Sequence, residues 1–192
     1  MKKILFITTR NPYSKRYSGD VIRSLKIINL LKEKYELDVV SLSNNSNPIK
    51  EKNVILFKYP NFVFKVINCL SSIFKLKPIQ FGLFFSKEMK TFIENFSDNY
   101  DYMFFYHIRS SQYLPETYRG KTILEMGDLY SDNYLQTFNY LNFLNPLKYI
   151  YYFESLLVRR AEYKIFSNFD RIVLFSKHEM LSVTKKFKKK IF

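Results

Sequence analysis

Six short apolar runs recur along the chain, and between them apolar residues return every three or four positions. The runs are "KKILFITT" (2–9), "ELDVVSLS" (36–43), "NVILFKY" (53–59), "YDYMFFYH" (100–107), "KTILEMGD" (121–128) and "DRIVLFSK" (170–177). Each is short and bounded by turn residues, the pattern of strands. Their apolarity is nearly continuous rather than alternating, so both faces of the resulting sheet must be covered. The stretches between them supply that cover. From Gly19 to Tyr35 the residues Val21, Ile22, Leu25, Ile28 and Leu31 form one stripe of an amphipathic helix. Residues 61–76 and 84–96 read as two more helices, parted at Pro78. A long helical region from Asn133 to Ser167 is interrupted by "NPL" at 145–147. Strands alternating with helices predict an α/β fold, a Rossmann-like parallel sheet with helices on both faces and right-handed crossovers.

Composition bounds the answer. A chain of 192 residues fits one domain over 1–192 and is long enough to bury a core. With 47% hydrophobic and 19% aromatic residues it is not a disordered sequence. Four glycines and six prolines leave no room for a linker, and no repeat of solenoid or propeller period is present. The single cysteine, Cys69, excludes an internal disulfide, and with only His107 and His178 as further soft ligands no metal is expected. Cys69 reads as a small core residue in a reducing, cytoplasmic compartment. The opening "MKKILFITTR" has too short an apolar run, and no small-residue cleavage site, for a signal peptide. No apolar run approaches the ~18 residues of a spanning helix. A formal charge of +14 favours an anionic partner: a phosphorylated ligand, an acidic membrane surface or nucleic acid. Part of that charge sits in the tail "KKFKKK" (185–190), and the rest is scattered without a stripe that would follow a duplex.

Ligands of such sheets bind beyond the carboxyl ends of the strands. The candidate residues are therefore Arg10 to Gly19 after the first strand, His107 to Ser110 after the fourth, Gly127 to Ser131 after the fifth and Ser176 to Glu179 after the sixth. Gly19 opens a helix without a side chain, so backbone N–H groups at a positive helix end are open to a phosphate, although a plain helix-start glycine would look the same. His107 is placed to act as a base or to bond a sugar hydroxyl, or else is a strand-end histidine satisfied by backbone. Asp128 either caps the next helix, in competition with Ser131 and Asp132, or meets a ligand. Glu154 lies at helical spacing from the stripe Ile150, Phe153, Leu157 and Ala161, so it should turn inward and take Arg159, Arg160 or Arg109 as partner, a structural role. Aromatic and basic residues interleave in "YPNFVFKVINCLSSIFKLKPIQFGLFF" (59–85). Core packing accounts for most of this stretch, and a partly exposed Phe/Lys face would lie at a membrane surface.

Four stretches carry a family likeness: "NPYSKRYSGDVIRSLKIINLLKEKYELDVVSL", "KPIQFGLFFSKEMKTFIENFSDNYDYMFFYHIRSSQYL", "KTILEMGDLYSDNY" and "YFESLLVRRAEYKIFSNFDRIVLFSKHE". Together the chain resembles the N-terminal, acceptor-side domain of GT-B glycosyltransferases, in particular bacterial members of the family 4 group. The resemblance implies one half of a GT-B fold and transfer of a sugar from a nucleotide-sugar donor to a glycan or polyprenyl-linked acceptor in cell-surface polysaccharide biosynthesis. It implies no cofactor, a retaining reaction in most relatives, and a donor phosphate that helps deprotonate the acceptor. On that likeness Gly19 and its loop approach the donor diphosphate or the acceptor, while Asp20 and Arg23 shape the loop. His107 or Asp128 stands near the reacting hydroxyl as the catalytic pair. Arg109 and Ser131 line the acceptor pocket, and Ser176 with Glu179 faces the interdomain cleft.

The family's second, nucleotide-sugar-binding domain has no counterpart in these 192 residues, so a fragment, a truncated product or one partner of a split enzyme is expected, inactive alone. The charge fits a peripheral position at the inner membrane face. The competing reading is a non-enzymatic Rossmann-like module binding a phosphorylated ligand or a partner chain. Nucleic-acid binding ranks last, for want of any recognition motif.

Overall fold

The computed structural model describes residues 1–15, 18–44 and 53–187; the expected turn beyond Asn44 and the basic tail beyond Phe187 lie outside them. In chain order the elements are β1 (Lys3–Thr8), α1 (Gly19–Lys32), β2 (Glu36–Ser43), β3 (Val54–Lys58), α2 (Phe62–Phe74), α3 (Ile79–Leu83) and α4 (Lys87–Phe96). There follow β4 (Tyr102–Tyr106), β5 (Lys121–Gly127), α5 (Tyr130–Tyr140), α6 (Pro146–Asn168), β6 (Arg171–Leu174) and α7 (Lys177–Phe187). A 3-10 segment, Ile108–Tyr113, joins β4 to β5.

All six strands are parallel, in the order β3-β2-β1-β4-β5-β6. The continuous apolarity of the strands has the expected cause. On one face Ile4, Phe6, Val39 and Phe104 pack with Ile28 of α1, and the Phe6 and Phe104 rings stack at 5.1 Å. On the other face Leu5, Ile7, Phe105 and Leu124 pack under Phe81, Met89 and Ile93 of α3 and α4 and Val158 and Phe166 of α6. Both faces are thus covered, as the Rossmann-like reading requires.

Several local expectations are corrected. The helix expected over 84–96 is α4, which starts at Lys87 and is capped by the Ser86 hydroxyl, accepting from the Met89 N–H; α3, directly after Pro78, is a further short helix. α7 is a further helix that its polar sequence did not announce. Cys69 is half-buried on α2, not in the core, with its thiol 3.7 Å from the Ile79 carbonyl oxygen. The largest correction concerns α6. Its inward stripe is Glu154, Ser155, Val158, Glu162, Ile165 and Phe166, while Ile150 and Phe153 are exposed. Two buried glutamates are stable there because backbone N–H groups receive them. Glu154 accepts from Ile79 (2.8 Å) and Gln80 (3.1 Å) at the start of α3, rather than from the arginines proposed for it. Arg159 instead pairs with Asp132 at 3.1 Å.

Candidate functional site

The strand order reverses between β1 and β4, and in sheets of this kind the ligand crevice lies beyond the carboxyl ends of the strands at such a switch point. Thr9 and Arg10 follow β1, and the Tyr59 hydroxyl donates to the Thr9 carbonyl at 2.6 Å. Gly19 starts α1 as expected, after Ser18 in extended conformation, and a Cβ added there would meet nothing within 4 Å. The space over the first turn of α1 is open. Asp20 accepts from the Ser18 hydroxyl and pairs with Arg10. Burial pushes its carboxyl up, but Ser18 and Arg10 outweigh burial and hold it below the usual range. The buried Tyr106 hydroxyl donates to the Asp20 carbonyl at 2.9 Å, tying the end of β4 to the start of α1.

His107 leaves β4 with φ +66° and ψ 150°, a backbone region that side chains rarely occupy. Its N–H donates to the Glu125 carbonyl at 2.8 Å, and Nδ1 lies 2.7 Å from the Tyr130 hydroxyl. Nε2 is buried and has no hydrogen-bond partner among the described residues. Burial first, then the Arg109 guanidinium, push the imidazole down to about 4; Arg10 and Arg23 add to this and Asp20 opposes it. The ring is therefore neutral at pH 7 and has one nitrogen left for a ligand hydroxyl. Arg109 stacks on Phe84 at 4.4 Å, with its Nε also buried and unbonded.

Glu125 is the acid that sequence reasoning missed. It sits at the end of β5, almost fully buried, 3.3 Å from Arg23 Nε in an ionic contact without hydrogen-bond geometry. Burial pushes its carboxyl up to about 7 against the pull of Arg23. The signal for it was an acid inside the otherwise apolar "TILEMG". Arg23 is held from its other side by the Phe175 ring, 3.2 Å from the guanidinium carbon. That ring also lies 3.2 Å from where a Cβ at Gly127 would stand, and Gly127 has φ +81°. Gly127→Ala is therefore expected to cost about 2 kcal/mol, read as a lower urea midpoint, from the backbone strain and the displaced ring.

The structure gathers Gly19, Asp20, Arg23, His107 and Arg109 at this crevice together with Arg10 and Glu125. The other candidates stand differently. Asp128 is exposed, and the cap position of α5 falls to Leu129, so Asp128 does not cap that helix. Ser131 was expected to line a pocket, but it is buried and its hydroxyl donates to Glu162 at 2.6 Å. The Ser176 hydroxyl accepts from the Glu179 N–H at 3.3 Å, and Glu179 accepts from the Leu129 N–H at 3.3 Å, so this pair fastens α7 to the loop after β5. Among the described residues no group of three His, Cys, Asp or Glu side chains could hold a metal ion. No helix among them is long and apolar enough to cross a membrane.

No family model matches the sequence, and no curated protein matches it. Among solved structures, sucrose-phosphate synthase from Thermosynechococcus elongatus, a GT-B glycosyltransferase, is similar with a TM-score of 0.59 at 12% identity, over 99% of this chain and 46% of that one. A second sucrose-phosphate synthase structure from the same organism covers 99% of this chain and 84% of its own, with a TM-score of 0.48 and 12% identity. At such identity the likeness is one of fold. The chain has a Rossmann-like fold consistent with a GT-B half domain, and it spans about half the length of the first of these neighbours.

Proposed function

We propose that this chain is the acceptor-side half of a family 4-like GT-B glycosyltransferase that moves a sugar from a nucleotide-sugar to a glycan or lipid-linked acceptor. The observation that supports this best is the crevice at the β1/β4 switch point, where the buried and unbonded His107 Nε2 and Arg109 Nε meet Arg10, Asp20, Arg23 and Glu125. Neutral His107 bonds one acceptor hydroxyl, and Arg109, rigid on Phe84, orients the acceptor. The open first turn of α1 at Gly19 admits a phosphate. Asp128, exposed just beyond β5, assists in positioning. One Rossmann domain provides one wall of a cleft, so transfer requires a donor-binding half from the same or a partner chain.

The test is release of nucleoside diphosphate from a panel of nucleotide-sugars by the natural gene product, with lipid-linked and free glycans as acceptors. Transfer is expected, and Asp128→Asn and Arg109→Lys should each lower kcat/KM by roughly tenfold, because they affect positioning rather than bond making. A product that neither binds nor turns over any donor, with Tm unchanged in both variants, overturns the reading in favour of a binding module.

A further inference from the structure

α2 is built inside out. At about 100° per residue, Lys65, Asn68, Cys69 and Ser72 share one side of this helix, and with Ser71 these are its half-buried or buried positions. Phe62, Val63, Ile67, Leu70, Ile73 and Phe74 occupy the other side, and all are exposed, Phe62 by 80% and Phe74 by 85%. The polar side faces the protein because α3 comes too close for larger groups. A Cβ on Gly82 of α3 would stand 2.6 Å from the Asn68 carbonyl carbon and the Cys69 nitrogen. A helix stabilised only by its own domain would bury the opposite side. α6 also turns apolar side chains outward. Its Glu154 grips the start of α3, and the adjoining Phe153 (63% exposed), Ile150 and Tyr149 stand in solvent.

The charge around this surface is mostly positive. From Asn53 to Lys87 the chain carries Lys58, Lys65, Lys75, Lys77 and Lys87, and no Asp or Glu. Lys75, Lys90 and Lys164 lie near enough to Lys77 that, after burial, their charges help hold its ammonium below the ordinary range, with Glu116 opposing. An apolar helix face flanked by lysines and by tyrosine and phenylalanine matches the boundary between headgroups and acyl chains of an anionic bilayer.

We propose that the exposed faces of α2 and the first half of α6 dock on an anionic lipid membrane, with Phe62 and Phe74 entering the acyl boundary and the lysines meeting the headgroups. Phosphatidylcholine vesicles, alone or doped with phosphatidylglycerol, test this by co-sedimentation of the 192-residue chain. Binding is expected to the anionic vesicles, falling at high salt and by about fivefold for each of Lys75→Ala and Lys77→Ala. The double variant Phe62→Ser/Phe74→Ser should weaken it by at least tenfold with an unchanged Tm, because neither side chain contributes to the core. No binding to anionic vesicles overturns the proposal. So does binding that the double variant retains, which would put the contact elsewhere in the basic chain. A dimer in solution that the double variant dissociates, without vesicle binding by the wild type, identifies a second copy as the occupant instead.

Discussion

Replacing Glu162 with alanine is expected to lower Tm by roughly 10 °C, and replacing it with glutamine to change how stability follows pH. Glu162 is buried on α6 and accepts from both the N–H (3.1 Å) and the hydroxyl (2.6 Å) of Ser131, so it fixes the first turn of α5. Alanine leaves two buried donors without acceptors and opens a cavity, a loss of about 4 kcal/mol, which is roughly 10 °C for a domain of this size. Burial pushes the Glu162 carboxyl up to about 7, against the pull of Ser131. A carboxyl with a raised folded-state pKa holds its proton more tightly when folded. Its contribution is therefore complete below the ordinary 4.5 and is lost as pH rises toward about 7. Glu125 titrates in the same sense over the same window. His107 acts oppositely, because its folded-state pKa falls from 6.5 to about 4 and stability drops as acid charges the unfolded imidazole first. Each shift is worth about 3 kcal/mol. Denaturant titrations of wild type and Glu162→Gln between pH 4.5 and 7 isolate the Glu162 contribution, because Glu125 and His107 titrate in both proteins. Relative to the variant, the wild type should gain about 3 kcal/mol on acidification. Parallel curves would show that Glu162 does not titrate in this window.

The strands were legible because both their faces are buried, so apolarity alone marked them, and β2 occupies the expected 36–43 to the residue. The edge positions were legible from topology: Gly19 does begin a helix, and His107 does stand at a strand end, one residue past β4. The buried acids were not. Inward stripes are found in sequence by apolarity, and on α6 that criterion selected Ile150 and Phe153, which face solvent, over Glu162, which does not. Only tertiary N–H groups, from α3 and from the start of α5, make an inward carboxylate tolerable, and no local pattern announces them. The same holds for α3, five residues long and fastened by Glu154 rather than by propensity. Glu125 hid inside a strand for a similar reason, since its partner Arg23 lies on a helix a hundred residues earlier. The Phe/Lys interleaving of 59–85 was readable as composition, but the direction in which α2 presents its phenylalanines depends on the Gly82 contact. What sequence misses here is the long-range pairing of buried polar groups, and one of them, Glu125, lines the crevice.

His107→Gly should be more stable than His107→Ala by about 1 to 3 kcal/mol, the reverse of the order in ordinary strands or helices, where glycine costs about 0.5 to 1 kcal/mol more than alanine. Both variants remove the imidazole, its 2.7 Å contact to Tyr130 and its edge contact with Tyr106, so the difference between them reports the backbone alone. At φ +66° and ψ 150° any Cβ is strained. The conformation is held by neighbours: the Glu125 carbonyl accepts the His107 N–H, and the His107 carbonyl accepts both the Ser110 N–H (3.0 Å) and its hydroxyl (2.7 Å). Those bonds survive in both variants, so glycine keeps the geometry without the strain. Urea midpoints measured at equal slope give the comparison. If alanine proves the more stable, the backbone at His107 is unstrained and the site has no stored distortion. If glycine does, a strained residue with an unbonded ring nitrogen stands where the proposed acceptor hydroxyl is received, and transfer should fall by about tenfold in both variants despite their different stabilities. Under the proposed function, a histidine standing there against its own backbone preference would serve the acceptor hydroxyl, since the described residues leave its Nε2 without a partner.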